Sequence, residues 1–312
     1  MTVNTLRESD FIDLYIGESY AEIKGMLGSA NFLSPVPECL SDDVKKIQAV
    51  CIKQHRETGR SEFSVFYDTR LYRATISKDL LGRTDLVLRQ TPAHIRAFKD
   101  IPFSTPLRRS VEQPAATGLF LIAGKMASGK TTTASSILQH RIEKTGELGV
   151  AIEDPAETLL QGRHGNGRCI QLEVHEDEGY ASATRKAYRM GASAFLLGEI
   201  RDGATAHEVL KASLSMFVVS TIHASSITEA LERYVMFCEE VSPAARANIA
   251  STLYVLAHQT MRINTDNNQR HVDIAGFNIR NTPAAATIRA KITAGNFNLT
   301  DQFSNMTYEF RD

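Results

Sequence analysis

Apolar and polar positions change rhythm about a third of the way along the chain. Up to residue 99 the apolar runs are short and separated by turn residues. Asp10–Ile16 alternates weakly and breaks at Gly17, and Tyr20–Leu27 reads as a paired strand ending at Gly28. Ser41 is placed to cap a helix whose first turn carries Asp42 and Asp43; the helix runs through Ile52 to near Glu57, with Gly59 just beyond. Phe63–Tyr67, Leu71–Ile76 and Leu86–Arg89 then read as strands. A small α+β domain over residues 1–99 is the expectation. Thr91–Thr117 follows, with Pro92, Pro102, Pro106, Pro114 and the basic pair Arg108-Arg109, so residues 100–117 read as a linker and hinge.

From Gly118 the pattern becomes strand, helix, strand. Leu119–Ile122 is an uninterrupted apolar run, as a strand buried on both faces requires. A helix starts at Lys130 and ends near Gly146, with His140, Arg141 and Lys144 in its last turns. Leu148–Ile152 is a second strand delivering Glu153 and Asp154, and Pro155 stops it. Gln161–Gly167 reads as a polar loop, Tyr180–Met190 as a helix, and Ala194–Leu197 as a strand running into Gly198-Glu199-Ile200-Arg201-Asp202. A helix over Ala204–Ser213 precedes the strand Phe217–Ile222, which ends at His223. The remainder reads as helices over Ile227–Glu240, Pro243–Ala257 and Pro283–Ala294, with Leu256–Arg262 and His271–Ile279 flanking a polar turn at Asp266–Gln269. Residues 118–312 are therefore expected to form an α/β domain with a parallel sheet and C-terminal helices.

Within that frame one stretch carries chemistry. Gly124–Thr131 has the spacing G-x-x-x-x-G-K-T between a strand and a helix start. The backbone N–H groups of Gly124, Lys125, Met126, Ala127, Ser128, Gly129, Lys130, Thr131 and Thr132 are placed to cradle phosphate oxygens. Lys130 would neutralise the outer phosphates of ATP, and the Thr131 hydroxyl would hold Mg²⁺. In a parallel sheet ligands sit beyond the carboxyl ends of the strands, and Lys130, Glu153, Asp154, Glu199 and His223 all fall there. Phosphoryl transfer to water needs a metal-positioning carboxylate, a group that orients water and a cation for the developing charge. Glu199 fits the metal side or the water side, Glu153, Asp154 and Glu157 form a second acidic group, and His223 can sense the outer phosphate. The plainer alternatives are a solvated helix-start carboxylate at Glu157 and a satisfied strand-end histidine at His223.

Composition narrows the partners. A net charge of −1 gives no basic surplus, so direct nucleic-acid binding is not expected. The four cysteines, Cys39, Cys51, Cys169 and Cys238, lack C-x-x-C spacing, against a zinc module or a disulfide framework. No apolar run has transmembrane or signal-peptide length, so a cytoplasmic protein is expected.

Four stretches in order resemble the type II/IV secretion ATPase superfamily: AGKMASGKTTT its Walker A, Ala151–Glu157 its acidic box, Phe195–Asp202 its atypical Walker B with Gly-Glu, and Val218–Arg233 its His box. IKGML, VLRQTP and Asn281–Gly295 extend the resemblance to nearly the whole chain. The resemblance implies a homohexameric, Mg²⁺-dependent ATPase with a PAS-like N-terminal domain and a RecA-like P-loop domain, nucleotide lying between them. It implies docking at the inner membrane through platform or secretion-complex proteins. It also implies arginines from the N-terminal domain; Arg73, Arg83 and Arg89 lie in the matching region, of which Arg83 and Arg89 are chosen as catalytic, with Asp154 joining Thr131 and Glu199 around the metal. Arg201 is a further candidate for interdomain contact. Departures are Arg189–Ser193, Met216 in place of the first histidine of the His box, and Lys125–Ala127 where Pro-Thr-Gly is usual. They shift the likeness from pilus retraction motors toward ATPases of conjugation and type IVB secretion. Two other classes fit the phosphate loop: a nucleotide-binding structural hexamer with little hydrolysis, and a small-molecule kinase.

Overall fold

The computed structural model describes residues 5–29, 31–174, 179–263, 270–299 and 301–302. The expected turn at Asp266–Gln269 lies outside them. The chain divides into two compact units, one of Met1–His94 with Asp154–Leu159 and one of Ile95–Glu153 with Leu160–Asp312.

The first unit is an antiparallel sheet with one long helix. Its elements are β1 (Asp13–Ile16), β2 (Ala21–Lys24), β3 (Leu33–Pro35), α1 (Ser41–Thr58), β4 (Glu62–Tyr67), β5 (Arg70–Lys78) and β6 (Thr84–Gln90), in sheet order β3-β2-β1-β6-β5-β4. Apolar residues of the strands, among them Leu14, Ile23, Val65 and Leu88, meet Val44, Ile47 and Cys51 of α1 in one core. Gly59 closes α1 in the left-handed conformation at φ 71°, which glycine adopts without a Cβ clash. Ser41 is the first helical residue and not a cap: Leu40 takes the cap position and no side chain bonds there.

The second unit begins earlier than the proline pattern suggests. Residues 100–117 are packed structure and not a free linker. The segment forms α2 (Thr105–Glu112), with Pro106 in the first turn, where a missing N–H costs nothing. Phe98, Ile101, Phe103, Leu107 and Val111 are buried in the same core as Phe120 and Ile137. Arg141, only 4% exposed, donates to the carbonyls of Val111 at 3.0 Å, Pro114 at 3.1 Å and Gln113, and lies 4.6 Å over the Phe217 ring. Proline broke the local pattern, but the apolar spacing decided the packing.

The remaining elements are β7 (Gly118–Gly124), α3 (Lys130–Thr145), β8 (Leu148–Glu153), β9 (Gly162–His164), β10 (Gly167–Glu173), α4 (Gly179–Arg189), β11 (Ala194–Ile200), α5 (Gly203–Ser213), β12 (Phe217–His223), α6 (Ile227–Val241), α7 (Ala245–Thr252), β13 (Leu253–Ile263), β14 (Arg270–Asn278) and α8 (Ala285–Thr293). They build one sheet in the order β14-β13-β7-β12-β11-β8-β10-β9, parallel from β13 to β10 with an antiparallel strand at each edge. Alternate residues of the central strands face two cores, one with α2 and α3 and the other with α4–α8. The helix expected over Pro243–Ala257 ends at Thr252, and its last third starts β13 beside β7. A short apolar run such as Leu253–Ala257 has no periodicity that separates strand from buried helix. Part of the expected Gln161–Gly167 loop is β9, which turns into the unforeseen strand β10. No helix among the described residues is long and apolar enough to cross a membrane.

Candidate active site

The phosphate loop leaves β7 at Gly124 and enters α3 at Lys130. A Cβ on Gly124 would sit 2.4 Å from the Gln259 carbonyl oxygen, so only glycine fits there. Gly129 stands at the helix cap with φ 86°, and Ala127 holds φ 59° without being glycine, a conformation that costs about 1 kcal/mol or more. Lys130, 7% exposed, folds back to donate to the Gly124 carbonyl at 3.1 Å and the Lys125 carbonyl at 3.0 Å. Its ammonium is thus fixed over the loop.

The neighbouring strand ends bring two partners. His223 on β12 is in register with Gly124 on β7. On β11, Leu197 pairs with Ser220 but Glu199 pairs with Thr221, so Gly198 is an extra residue in the ladder. That bulge turns Glu199 to the face that Thr221 and His223 share; unbulged pairing would turn it to the other face. The Ser220 hydroxyl pins the bulge, donating to the Leu197 carbonyl at 2.6 Å. As a result Glu199 Oε1 lies 2.6 Å from His223 Nε2, Glu199 Oε2 accepts from Arg201 Nε at 2.9 Å, and His223 Nδ1 lies 3.5 Å from Lys130 Nζ. The Arg233 guanidinium donates to the His223 carbonyl at 2.8 Å. An ammonium has donors only, so Nδ1 accepts and the ring proton sits on Nε2, facing the carboxylate. Burial and then the Lys130 charge push the His223 pKa below its ordinary value, outweighing the pull of Glu199. The imidazole is therefore neutral at pH 7.

Burial likewise lowers His140, which stacks on Phe98 at 4.0 Å, and His258. An imidazole with a lower pKa in the folded chain than in the unfolded one binds its proton more readily when unfolded. Stability from these groups is full above the ordinary value of about 6.5 and falls as pH drops through the window beneath it. Stability is expected to decline as the pH drops below about 6.5, by at most about 1.4 kcal/mol per pH unit for each histidine, and the melting midpoint to fall with it. Differential scanning calorimetry of His140→Phe, which keeps a stacked ring, should give a flatter profile.

The other acidic candidates separate. Glu153 at the end of β8 accepts from Gln171 Nε2 at 2.7 Å within the second unit. Asp154 and Glu157 belong to the first unit. There Asp154 takes Arg60 at 2.9 Å, Glu157 takes Arg73 at 2.8 Å, and the Ser64 hydroxyl donates to the Ala156 carbonyl at 2.9 Å. Arg83 and Arg89 lie elsewhere in that unit: Arg83 on Asp79 in the β5–β6 turn at 3.0 Å, and Arg89 on Asp13 at 2.8 Å. Burial alone would raise the Asp13 pKa, but Arg89 and Lys24 outweigh it and hold it down. The structure therefore assembles Lys130, Glu199, Arg201 and His223 in one cluster and sets Arg60 and Arg73 on the acidic box. Sequence reading passed over Arg60, Arg73 as a final choice, Arg233 and Gln259. Gln259 alone leaves a signal, as a buried polar residue inside an apolar strand.

A phosphate loop on an interior strand of a parallel-containing sheet, with acid and imidazole at adjacent strand ends, defines an α/β protein of the phosphate-loop class. The family model for type II/IV secretion system protein matches residues 88–305, and the chain belongs to that family. It is 29% identical over 180 residues to the type IV pilus ATPase PilT of Pseudomonas aeruginosa, an alignment covering 56% of this chain and 51% of that one. The chain thus spans about half the length of that relative. Among solved structures it resembles the pilus retraction motor PilT with bound ADP, with TM-score 0.75, 22% identity and 95% and 86% of the two chains covered. It also resembles the ATPase DotB of Legionella pneumophila, with TM-score 0.70, 18% identity and 96% and 88% covered. These likenesses establish the fold.

Proposed function

We propose that this chain is a Mg²⁺-dependent ATPase acting as a homohexamer, and that it powers a conjugation, type IV (IVB) secretion or type IV pilus apparatus by nucleotide-driven motion of its two units. The observation that carries the reading is the cluster of Lys130 at the start of α3 with His223 and Glu199 on the neighbouring strands β12 and β11. It supplies a cation for phosphate, a neutral imidazole and a carboxylate at one sheet edge. In this reading the second unit is RecA-like and the first, an antiparallel sheet with one helix, is PAS-like.

No group of three or more His, Cys, Asp or Glu side chains that could hold a metal occurs among the described residues. Mg²⁺ is bound through one or two carboxylates together with substrate phosphates, and the Thr131 hydroxyl and Glu199 provide oxygen donors of that kind. Glu199 Oε1 is buried with the His223 ring as its partner at 2.6 Å, so the carboxylate would have to share an oxygen with His223 or Arg201 to reach a metal. When bound, the ion would neutralise phosphate charge. Asp154, held by Arg60, is the weaker third candidate.

Arg83 and Arg89, with side chains 47% and 60% exposed, are proposed as cations that meet phosphate charge during turnover, each exchanging one carboxylate for it. Glu153 and Glu157 are proposed to act with them. The chain is proposed to work in the cytoplasm, held at the inner membrane by platform or secretion-complex proteins and without binding nucleic acid. Phosphate release from ATP, measured beside mass photometry, tests the whole reading. Mg²⁺-dependent turnover by a particle of six chains is expected. A monomer that releases no phosphate would end it.

A further inference from the structure

Gln259 lies in mid-strand on β13, one residue past His258, which is in register with Ala123 on β7. It is 1% exposed, and both ends of its amide are engaged. Nε2 donates to the Ser128 carbonyl at 2.6 Å, and Oε1 accepts from the Thr133 hydroxyl at 2.8 Å. A carbonyl oxygen can only accept, so the partners fix the orientation of the amide. One side chain therefore ties the phosphate loop and the first turn of α3 to the sheet. Gln259 also forms the floor of the loop: a Cβ on Gly129 would lie 3.1 Å from its Nε2, and one on Gly124 would meet its backbone oxygen.

We infer that Gln259 is a positioning residue for the phosphate loop, holding it in the conformation that receives nucleotide. The inference rests on the nucleotide reading above. Its physical basis is the Ser128–Gly129 peptide. In a trans peptide the C=O and N–H point in opposite directions. Drawing the Ser128 carbonyl into the sheet turns the Gly129 N–H away from Gln259, to the open side where phosphate oxygens are received. The loop needs such a hold because Ala127, just before this peptide, sits at φ 59° without being glycine, and a strained backbone persists only where its surroundings over-determine it. The Thr133 bond keeps the glutamine amide in the one rotation that serves Ser128.

Three chains test this: Gln259→Leu, which removes both bonds at similar volume, Thr133→Val, which removes only the outer one, and the double variant. The probes are titration with MgADP and amide hydrogen exchange of residues 126–130 without nucleotide. For Gln259→Leu, MgADP affinity is expected to fall by roughly 10- to 50-fold, the range of one or two lost buried hydrogen bonds. Exchange should rise in the loop while the central strands stay protected. For Thr133→Val a smaller loss of about 3-fold is expected, and the double variant should be no weaker than Gln259→Leu. Unchanged loop exchange in both single variants overturns the inference, as does exchange that rises throughout the sheet, which marks a merely structural role. Should Gln259→Leu not fold, Thr133→Val decides by the same two measurements. Absence of MgADP binding by the unaltered chain overturns the nucleotide reading itself, whereas the loop exchange judges the clamp separately.

Discussion

A Lys130→Ala chain is expected to lose nucleotide affinity by at least about 10²-fold, equal to about 2.7 kcal/mol, while remaining folded. The magnitude follows from what the ammonium does in the loop. It is 7% exposed and bonded to the carbonyls of Gly124 and Lys125, so its position is set before a ligand arrives. A pre-placed buried cation pays little to meet a phosphate, and charge-assisted bonds contribute about 1.5–3 kcal/mol each. Alanine also frees two carbonyls at the loop entrance, adding disorder where the phosphate must be gripped. The fold itself should tolerate the change, because the buried apolar contacts of β7 and α3 do not involve the ammonium. Isothermal titration with MgATP, beside a melting curve, checks both halves. An affinity within 3-fold of the unaltered chain, a threshold of roughly 0.7 kcal/mol, would remove Lys130 from the site.

How much of this was legible in the sequence depends on the range over which each feature is decided. The phosphate loop is local: two glycines, a lysine and a threonine at fixed spacing, running from the last residue of β7 into the first turn of α3. The strand ends that carry Glu199 and His223 were legible too, because uninterrupted apolar runs mark buried strands. Their meeting was not. It depends on the Gly198 bulge, one extra residue in register between β11 and β12, and register between distant strands is a property of the assembled sheet. The arginines show the same boundary. Arg60, Arg73, Arg83 and Arg89 look alike in sequence, yet two of them hold the acidic box and two hold Asp79 and Asp13. The proline-rich stretch misled in the opposite direction. Proline is a local signal, whereas Phe98, Ile101, Phe103, Leu107 and Val111 had to be read as one buried face.

Glu199→Gln is expected to slow phosphate release by about 10²- to 10⁴-fold, the usual range for a group that moves or orients a proton, and to leave MgATP affinity within a few-fold. The substitution keeps shape and removes charge. The geometry favours turnover as the step affected. The two oxygens of Glu199 face His223 at 2.6 Å and Arg201 at 2.9 Å. The neutral His223 accepts from Lys130 on one ring nitrogen and presents its proton to Glu199 on the other. A line of groups thus runs from the Lys130 ammonium to the carboxylate, and the charge at its far end sets how the line is polarised. Glutamine keeps an acceptor oxygen but offers no anion there, so a water beside the outer phosphate would lose its proton acceptor while the proposed cradle is untouched. Steady-state release and MgATP titration on the same preparation separate the outcomes. Slow release with intact affinity places Glu199 on the water side. Loss of Mg²⁺-dependent affinity in equal measure places it on the metal side. Unchanged release in a chain that binds ATP would leave Glu199 outside the chemistry and favour a nucleotide-holding scaffold.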